Sequence, residues 1–184
     1  MEKGIAEIEI KVIGWSEEAL LPRIKVLGGF FDREELQVNY HIDSSGRPVD
    51  PSAYLRLRVT SVAGEEQKRE LTYKERAASS SARVNTEYTT PVADVASMLS
   101  VLAKLGYDRV SRGVKRRRRY VLGDCSLEFD EWDKATLSYP YLEIEAPSEK
   151  HLFQLIGDLG IPETCVTTKS IAQLRAEDGK CANP

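Results

Sequence analysis

The sequence contains few of the residues that dominate the commonest catalytic and metal-binding sites. It has only two histidines and three cysteines, which are His41, His151, Cys125, Cys165 and Cys181. Their spacing matches no zinc motif, and three cysteines cannot all pair in disulfides. We therefore expect ordinary thiols and no zinc site, and the isolated position of His41 gives no ground for assigning it as a general base.

Long apolar runs and a strong excess of one charge are also missing. No run reaches the about 18 apolar residues of a membrane-spanning helix, and residues 1–5 lack the apolar core of a signal peptide. The 26 basic and 29 acidic residues leave a net charge of −3, which argues against nucleic-acid binding through bulk positive charge. These features predict a cytoplasmic protein that binds neither membranes nor nucleic acid.

The length of the chain suits one domain. Its 184 residues are enough to bury a substantial core, and 41% of them are hydrophobic. We expect residues 1–176 to form this domain, as a monomer or a homodimer, and residues 177–184 to form a flexible C-terminal tail.

Helix signals are few and occur at cap-like residues. Serine or threonine followed by amphipathic spacing predicts each start, and glycine predicts most of the ends. The predicted helices are Ser16–Leu27, Thr90–Leu102 with Pro91 in its first turn, Ser148–Leu159 and the short Ser170–Ala176.

Between the helices, apolar and polar residues alternate as they do in strands. Eight segments show this period of two, and Gly123-Asp124 has the composition of a tight hairpin turn between two of them. The predicted strands are Ile5–Val12, Leu36–Ile42, Tyr54–Val62, Lys68–Tyr73, Val84–Thr90, Arg109–Leu122, Cys125–Trp132 and Tyr141–Ala146.

The polar positions of these strands are occupied mainly by charged residues. Because successive side chains in a strand point to opposite faces, several strands present clustered charges on one face. These are Glu7, Glu9 and Lys11; Arg56 and Arg58; Glu128 and Asp130; and Glu143 and Glu145. One interpretation is a sheet with one wet face, on which paired charges aid solubility.

The other interpretation is a barrel that closes around the charged faces. Its apolar faces would then point outward under the helices. The recurrence of clustered acids and bases favours this arrangement, because a solvated face usually mixes in uncharged polar residues. The predicted fold class is therefore α+β, a closed eight-stranded antiparallel β-barrel, or tunnel, with a charged interior and helices packed outside.

Such a lining suits an anion that is bound together with metal ions. Carboxylates are hard oxygen donors for Mg²⁺ or Mn²⁺, and lysine and arginine bind phosphate oxygens. The candidate metal ligands are Glu7, Glu9, Glu87, Asp130, Glu143 and Glu145. The candidate phosphate ligands are Lys11, Arg56, Arg58, Lys74, Lys115 and Arg117.

Two features permit other interpretations. The run from Lys115 to Arg119 is basic enough for a nucleic-acid or nuclear-targeting motif, but in a strand only its alternate residues Lys115, Arg117 and Arg119 share a face. Arg116 and Arg118 would then form outward salt bridges. Three aromatic residues near the last strands, Trp132, Tyr139 and Tyr141, either stack on a base or pack at the barrel ends.

Several short motifs resemble those of the CYTH superfamily, the triphosphate tunnel metalloenzymes. Glu7-Ile8-Glu9-Ile10-Lys11 is similar to the ExExK signature of that family. The resemblance continues through Leu55-Arg56-Leu57-Arg58, Lys74, Glu87, Lys115-x-Arg117-x-x-Tyr120, Asp130 and Tyr141-Leu142-Glu143-Ile144-Glu145. It spans residues 5–174.

The resemblance implies a triphosphate substrate and roles for the residues already singled out. Glu7, Glu9 and Lys11 become the candidate catalytic residues, with Glu143 as a further leading metal ligand. Glu87, Asp130 and Glu145 become supporting ligands, and the basic residues become triphosphate ligands. The second strand departs from the family pattern, which has an aspartate and tyrosines there, so the resemblance assigns it no role beyond Asp43. The usual Ser-Tyr pair near the end appears here as Ser170-Ile171.

Three functions are consistent with these features. The first resembles class IV adenylyl cyclases, which convert ATP to cyclic AMP and pyrophosphate, and the ending Leu-Glu-Ile-Glu-Ala-Pro-Ser looks closer to that branch. The second is hydrolysis of inorganic triphosphate or another triphosphate, and the third is non-catalytic sensing of nucleotides or polyphosphate. An enzyme should lose turnover when Glu7 and Glu9 become glutamine, and Arg117→Ala should weaken binding far more than Arg118→Ala. The serines and alanines of the segment 75–83 would permit it to move over the tunnel mouth.

Overall fold

Nine strands and four helices follow one another in the computed structural model, which describes residues 4–46, 48–50, 52–77 and 81–177. The first half of the chain contains β1 Ile5–Ile13, α1 Glu17–Val26, β2 Phe30–Asp43, β3 Ala53–Val62, β4 Glu65–Arg76 and β5 Arg83–Pro91. The second half contains α2 Val95–Lys104, β6 Arg109–Leu122, β7 Cys125–Trp132, β8 Tyr141–Glu145, α3 Glu149–Leu159, β9 Val166–Thr167 and α4 Ile171–Ala176.

The strands form one antiparallel sheet that closes on itself. Their order is β5-β4-β3-β2-β6-β7-β8-β1, and pairing of β1 with β5 completes the circle. The short β9 pairs with the second half of β1, at Lys11 and Val12. The predicted eight-stranded antiparallel barrel is therefore confirmed, with β9 as an addition to it.

The apolar core lies outside the barrel, between the sheet and the helices. Outward residues of β1 and β8, such as Ile10 and Leu142, pack against buried leucines and isoleucines of α1 and α3. On the opposite side, Leu55 and Leu57 of β3 form a second cluster with Leu102 of α2. Each helix therefore buries its apolar stripe against one part of the barrel wall, and the polar face of each strand is left to the interior.

The two ends of the barrel differ. At one end, Leu174 of α4 packs with Ile13, Leu137 and Tyr141, so that this helix covers the end of the interior. Trp132 and Tyr139 pack against the same cluster. At the other end a cavity of about 510 Å³ is lined by residues that include Glu7, Glu145 and Ser126. These aromatic residues were predicted either to stack on a base or to pack at the barrel ends, and their position matches packing at a barrel end.

Three predicted elements had wrong boundaries. The strand β2 begins at Phe30 rather than Leu36, because residues 32–35 are all charged and show no alternation, and the register shifts between Phe31 and Arg33. Pro91 is the last residue of β5 and not part of a helix, and α2 is capped instead by Asp94, whose side chain accepts a hydrogen bond from the Ser97 amide. The strand β4 extends three residues beyond each predicted end, from Glu65 to Arg76. The other long strands and helices lie close to their predicted positions, and β6 is continuous.

Parts of two predicted segments lie outside the described residues. Residues 78–80 of the segment 75–83 are among these, whereas Ala82 and Arg83 of that segment are buried. Of the predicted tail 177–184, only Glu177 is described, and it ends α4. None of the helices that the structure describes is long and apolar enough to cross a membrane.

Candidate functional site

The interior of the barrel is lined by charged side chains that are almost fully buried. Inward positions alternate along each strand, as predicted, and they place acids and bases from all parts of the chain around one space. Eight of these charged residues are at most 6% exposed: Glu9, Lys11, Glu35, Lys74, Lys115, Arg117, Glu128 and Asp130. Burial of so many ions is unfavourable unless each has a partner.

One wall, formed by β1, β7 and β8, carries most of the acids. Glu145 lies directly across from Glu9 on one side and from Ser126 on the other, and Glu143 lies across from Glu128. Carboxylate oxygens of Glu7, Glu9 and Glu145 lie within 4.8 Å of one another, and so do those of Glu128, Glu143 and Glu145. Glu145 is shared by both groups.

Crowding of these acids opposes their ionisation. Burial and the carboxylates of Glu128 and Glu7 raise the pKa of Glu145 far above its usual range. Burial also raises the pKa of Glu128, although Arg117 opposes this effect. A set of converging carboxylate oxygens that is short of positive charge fits a hard divalent cation such as Mg²⁺ or Mn²⁺.

Lysines and arginines compensate part of this negative charge, and Arg83 forms an ion pair with Glu9 at 3.1 Å. The Lys11 ammonium lies 3.2 Å from Glu9 and 2.8 Å from Glu143. Burial alone would lower the pKa of Lys11, but Glu143 and Glu9 raise it above the ordinary value. Arg117 contacts three acids at once, donating to Asp130 and Glu143 at 2.7 and 3.0 Å and forming an ion pair with Glu128.

A second group of ion pairs lies where β1, β4 and β5 meet. The Lys74 ammonium forms ion pairs with Glu7 and, at 2.7 Å, with Glu87. The amide of Asn85 donates to Glu7 at 3.0 Å, and its carbonyl oxygen accepts from Arg83 at 3.2 Å. These contacts fix the position of the Glu7 carboxylate beside the acidic wall.

Lys115 lies among cations and under an aromatic ring. Its ammonium donates to Asp130 at 2.7 Å and lies 5.3 Å from the centre of the Trp132 ring. Burial and Arg117 lower the pKa of Lys115 to about 8. Gly113 makes this arrangement possible, because a Cβ atom there would lie 3.1 Å from Cζ3 of Trp132.

Arg56 and Arg58 differ from the other cations of the interior. Neither has a carboxylate within ion-pair distance among the residues that the structure describes. Arg56 lies 5.9 Å from the centre of the Tyr54 ring, and its buried Nε has no hydrogen-bond partner there. Burial, together with Arg56 and Arg117, lowers the pKa of Arg58 to about 10. This pair is therefore short of negative charge.

The predicted site residues all lie on the inward faces of the strands. Glu7, Glu9, Glu143 and Glu145 belong to the two carboxylate groups, while Asp130 and Glu87 are engaged by cations. In the basic run, Arg116 pairs with the exposed Glu131 and Arg118 pairs with Glu17 of α1, so both point outward.

Sequence reasoning placed Glu128 on the charged face but did not assign it as a ligand. It also missed Arg83 and Asn85, because Arg83 lies next to a stretch of serines and alanines that has the composition of a loop. The buried polar residues Glu35, Gln37 and Asn39 of β2 were likewise not assigned. The alternation of β2 was the signal that could have found them.

A closed antiparallel barrel with helices outside and a charged lumen defines a tunnel protein. The model of one family, the CYTH domain, matches residues 6–171. The chain therefore belongs to the CYTH family, and its fold is the CYTH tunnel fold.

Solved structures of low sequence identity share this fold. PH1012 of Pyrococcus horikoshii is 24% identical with a TM-score of 0.75, covering 91% of this chain and 98% of its own. A candidate adenylate cyclase of Vibrio parahaemolyticus is 17% identical with a TM-score of 0.69, covering 95% and 99%. HpAC1 of Hippeastrum, a candidate adenylyl cyclase described as having a dominant triphosphatase activity, is 19% identical with a TM-score of 0.63, covering 94% and 95%. No match was found among the curated proteins.

Proposed function

We propose that this protein is a divalent-metal-dependent enzyme that acts on a triphosphate bound inside the barrel. One observation carries the proposal: the interior is short of positive charge on the acidic wall and short of negative charge at Arg56 and Arg58. A polyphosphate with divalent cations supplies both. An apolar ligand or a single small ion would leave one of the two deficits uncompensated.

The acidic wall would hold the metal. Glu7, Glu9, Glu143 and Glu145 provide the converging oxygens, and Glu128 completes the second group. Glu87 and Asp130 support them by holding Lys74, Lys115 and Arg117 in place. When bound, Mg²⁺ or Mn²⁺ would supply positive charge to the phosphate oxygens.

The cations of the tunnel would bind the triphosphate chain. Arg56 and Arg58 have forked donors that are not engaged by carboxylates among the described residues. The other cations of the tunnel have two roles, because each pairs with carboxylates and would also face the phosphates. These are Lys11, Lys74, Lys115 and Arg117. These cations would stabilise the negative charge that accumulates on the leaving group during the reaction.

The first reaction that we propose is cyclisation of ATP. The ribose 3′-oxygen forms a bond to the α-phosphorus, and the bond from that phosphorus to the oxygen shared with the β-phosphate breaks. Pyrophosphate leaves, and the hydroxyl proton passes to solvent. Arg56 and Arg58 favour this step by binding the negative charge of the pyrophosphate.

Hydrolysis of a triphosphate is the second candidate. It is favoured by the fold shared with HpAC1, whose described activity is mainly that of a triphosphatase. Water would form a bond to the terminal phosphorus, the bond from that phosphorus to its bridging oxygen would break, and a proton of the water would pass to solvent. The same cations would stabilise the departing diphosphate or, from ATP, the departing ADP.

Product analysis distinguishes the two reactions. The protein is incubated with ATP or inorganic triphosphate, with Mg²⁺ or Mn²⁺ and with a chelator as control. Cyclic AMP with pyrophosphate supports the cyclase, and orthophosphate from inorganic triphosphate supports the hydrolase. Absence of any metal-dependent product, from a protein that binds neither compound, would overturn the proposal.

A further inference from the structure

The inward face of β2 carries three buried polar residues that are neither metal ligands nor phosphate ligands in the proposed function. Glu35, Gln37 and Asn39 are 6%, 1% and 5% exposed and follow one another along the strand at alternate positions. Each lies directly across from a residue of β3, and Asn39 lies across from Arg58. The strand therefore places an amide beside one of the two arginines that lack a carboxylate partner.

A hydrogen bond joins these two side chains. Nε of Arg58 donates to Oδ1 of Asn39 at 2.9 Å. The Asn39 amide nitrogen donates to the backbone carbonyl of Gln37 at 3.4 Å, which fixes which way the amide faces. Because the bond to Asn39 uses Nε, the two terminal nitrogens of the guanidinium are left for another ligand.

An arginine of β2 itself shows what a charged partner does. Nε of Arg33 donates to Oε1 of Glu35 at 2.7 Å, and Glu35 and Asp32 raise the pKa of Arg33 above its usual value, although burial opposes them. The positive charge of Arg33 is therefore compensated by carboxylates of its own strand. Asn39 offers Arg58 a hydrogen bond of the same kind without a negative charge, and the pKa of Arg58 is lowered by burial.

We propose that Asn39 is a positioning residue that orients the Arg58 guanidinium toward the triphosphate while leaving its charge uncompensated. This inference rests on the proposed function. An aspartate at the same position would hold the arginine equally well but would compete with phosphate for it. The neutral amide is therefore suited to an anion-binding site.

The test is a double-mutant cycle on binding of inorganic triphosphate with Mg²⁺, measured by calorimetry in the full chain. Asn39→Ala should weaken binding about tenfold, since it frees the guanidinium to rotate. Asn39→Asp should weaken binding further, although it is nearly the same size as asparagine. In the Arg58→Gln background, Asn39→Ala should have no further effect on affinity.

The cycle separates positioning from a merely structural role. A structural role would lower the unfolding temperature of Asn39→Ala equally in both backgrounds and leave the affinity of the folded protein unchanged. The inference would be overturned if Asn39→Ala and Asn39→Asp both left the affinity unchanged. It would also be overturned if the losses from Asn39→Ala and Arg58→Gln were additive in the double variant. If Asn39→Ala does not fold, the near-isosteric Asn39→Asp decides: binding equal to wild type contradicts it. Failure of the wild-type protein to bind triphosphate would instead count against the proposed function.

Discussion

Each cation of the tunnel can be classified by its partners, and this classification separates the cations that stabilise the empty tunnel from those that do not. Lys11, Lys74 and Arg117 each contact two or three carboxylates, so they offset the cost of burying those acids. Arg56 and Arg58 are partly buried and pair with no carboxylate among the described residues, so they contribute no such compensation in the empty tunnel. An anion that binds there would supply the missing negative partner.

Replacement of Arg58 should therefore separate binding from stability. We expect Arg58→Gln to weaken binding of inorganic triphosphate about 10- to 100-fold, the value of a lost hydrogen bond to a charged group, without lowering the free energy of unfolding. Calorimetry and urea denaturation measure the two quantities. The matched control is Arg116→Gln, which removes an exposed arginine of the outer face and should change neither. Equal effects of the two substitutions would contradict the assignment.

Arg117 should affect stability as well as binding. Its removal leaves Asp130, Glu128 and Glu143 without their shared cation, and breaking a buried ion pair costs about 3–5 kcal/mol. Arg117→Ala should therefore lower the free energy of unfolding by that amount, and Arg118→Ala, whose arginine lies on the outer face, by at most about 1 kcal/mol. Urea denaturation of both variants checks this. Similar losses would show that Arg117 does not neutralise the acidic wall.

Glu145 lies in both carboxylate groups and is the clearest single test of the metal site. Glu145→Gln removes a carboxyl group whose pKa is raised by burial and by Glu128 and Glu7. Folding then no longer requires that this group be protonated or buried as an anion, so the metal-free protein should become more stable. The same change should reduce metal-dependent turnover at least about tenfold, because an amide oxygen is a weaker ligand than a carboxylate. Thermal unfolding in chelator and initial rates at varied Mg²⁺ test both effects. Glu131→Gln, on the outer face, is the control and should leave both unchanged.

At the scale of single elements, alternation predicted most of the strands and the face that each turns inward. It worked for β1, β3 and β6 because these strands are regular and one face of each packs under helices. It failed at the start of β2, where residues 32–35 are all charged and the register shifts between Phe31 and Arg33. It also failed at Pro91, because both Thr90 and Asp94 are good capping residues and only the packing of the strand decides between them.

The contact of β6 with the end of β7 gives a prediction at this scale. A side chain at Gly113 would lie 2.7 Å from Oγ1 of Thr136 and would press on Trp132. Gly113→Ala should therefore displace the ring from Lys115 and lower the free energy of unfolding by about 1–3 kcal/mol. Gly157→Ala is the matched control, since nothing lies within 4 Å of that position in α3, and it should stabilise the protein by up to about 1 kcal/mol. Urea denaturation measures both, and an unchanged Gly113→Ala would show that the ring can move without cost.

At the scale of the whole molecule, the sequence predicted a closed barrel but not the difference between its ends. Closure of the sheet could be predicted because many strands carry a charged face, and a closed barrel gives these faces one common interior. The covering of one end by α4 depends on Leu174 meeting Ile13 and Tyr141, which are far apart in the chain. Pairing among the buried charges was also beyond the sequence, because it depends on cross-strand register. The contrast between Arg58 and Arg117 becomes visible only when that register is known.

The most direct test of the central claim is calorimetric titration of inorganic triphosphate into the protein, with Mg²⁺ and with chelator. We expect one triphosphate per chain, tight binding that needs the metal, and an affinity lower by about 100-fold or more in the Arg56→Gln/Arg58→Gln double variant. Absence of binding by the wild-type protein, or equal binding by the wild type and a correctly folded double variant, would contradict the claim.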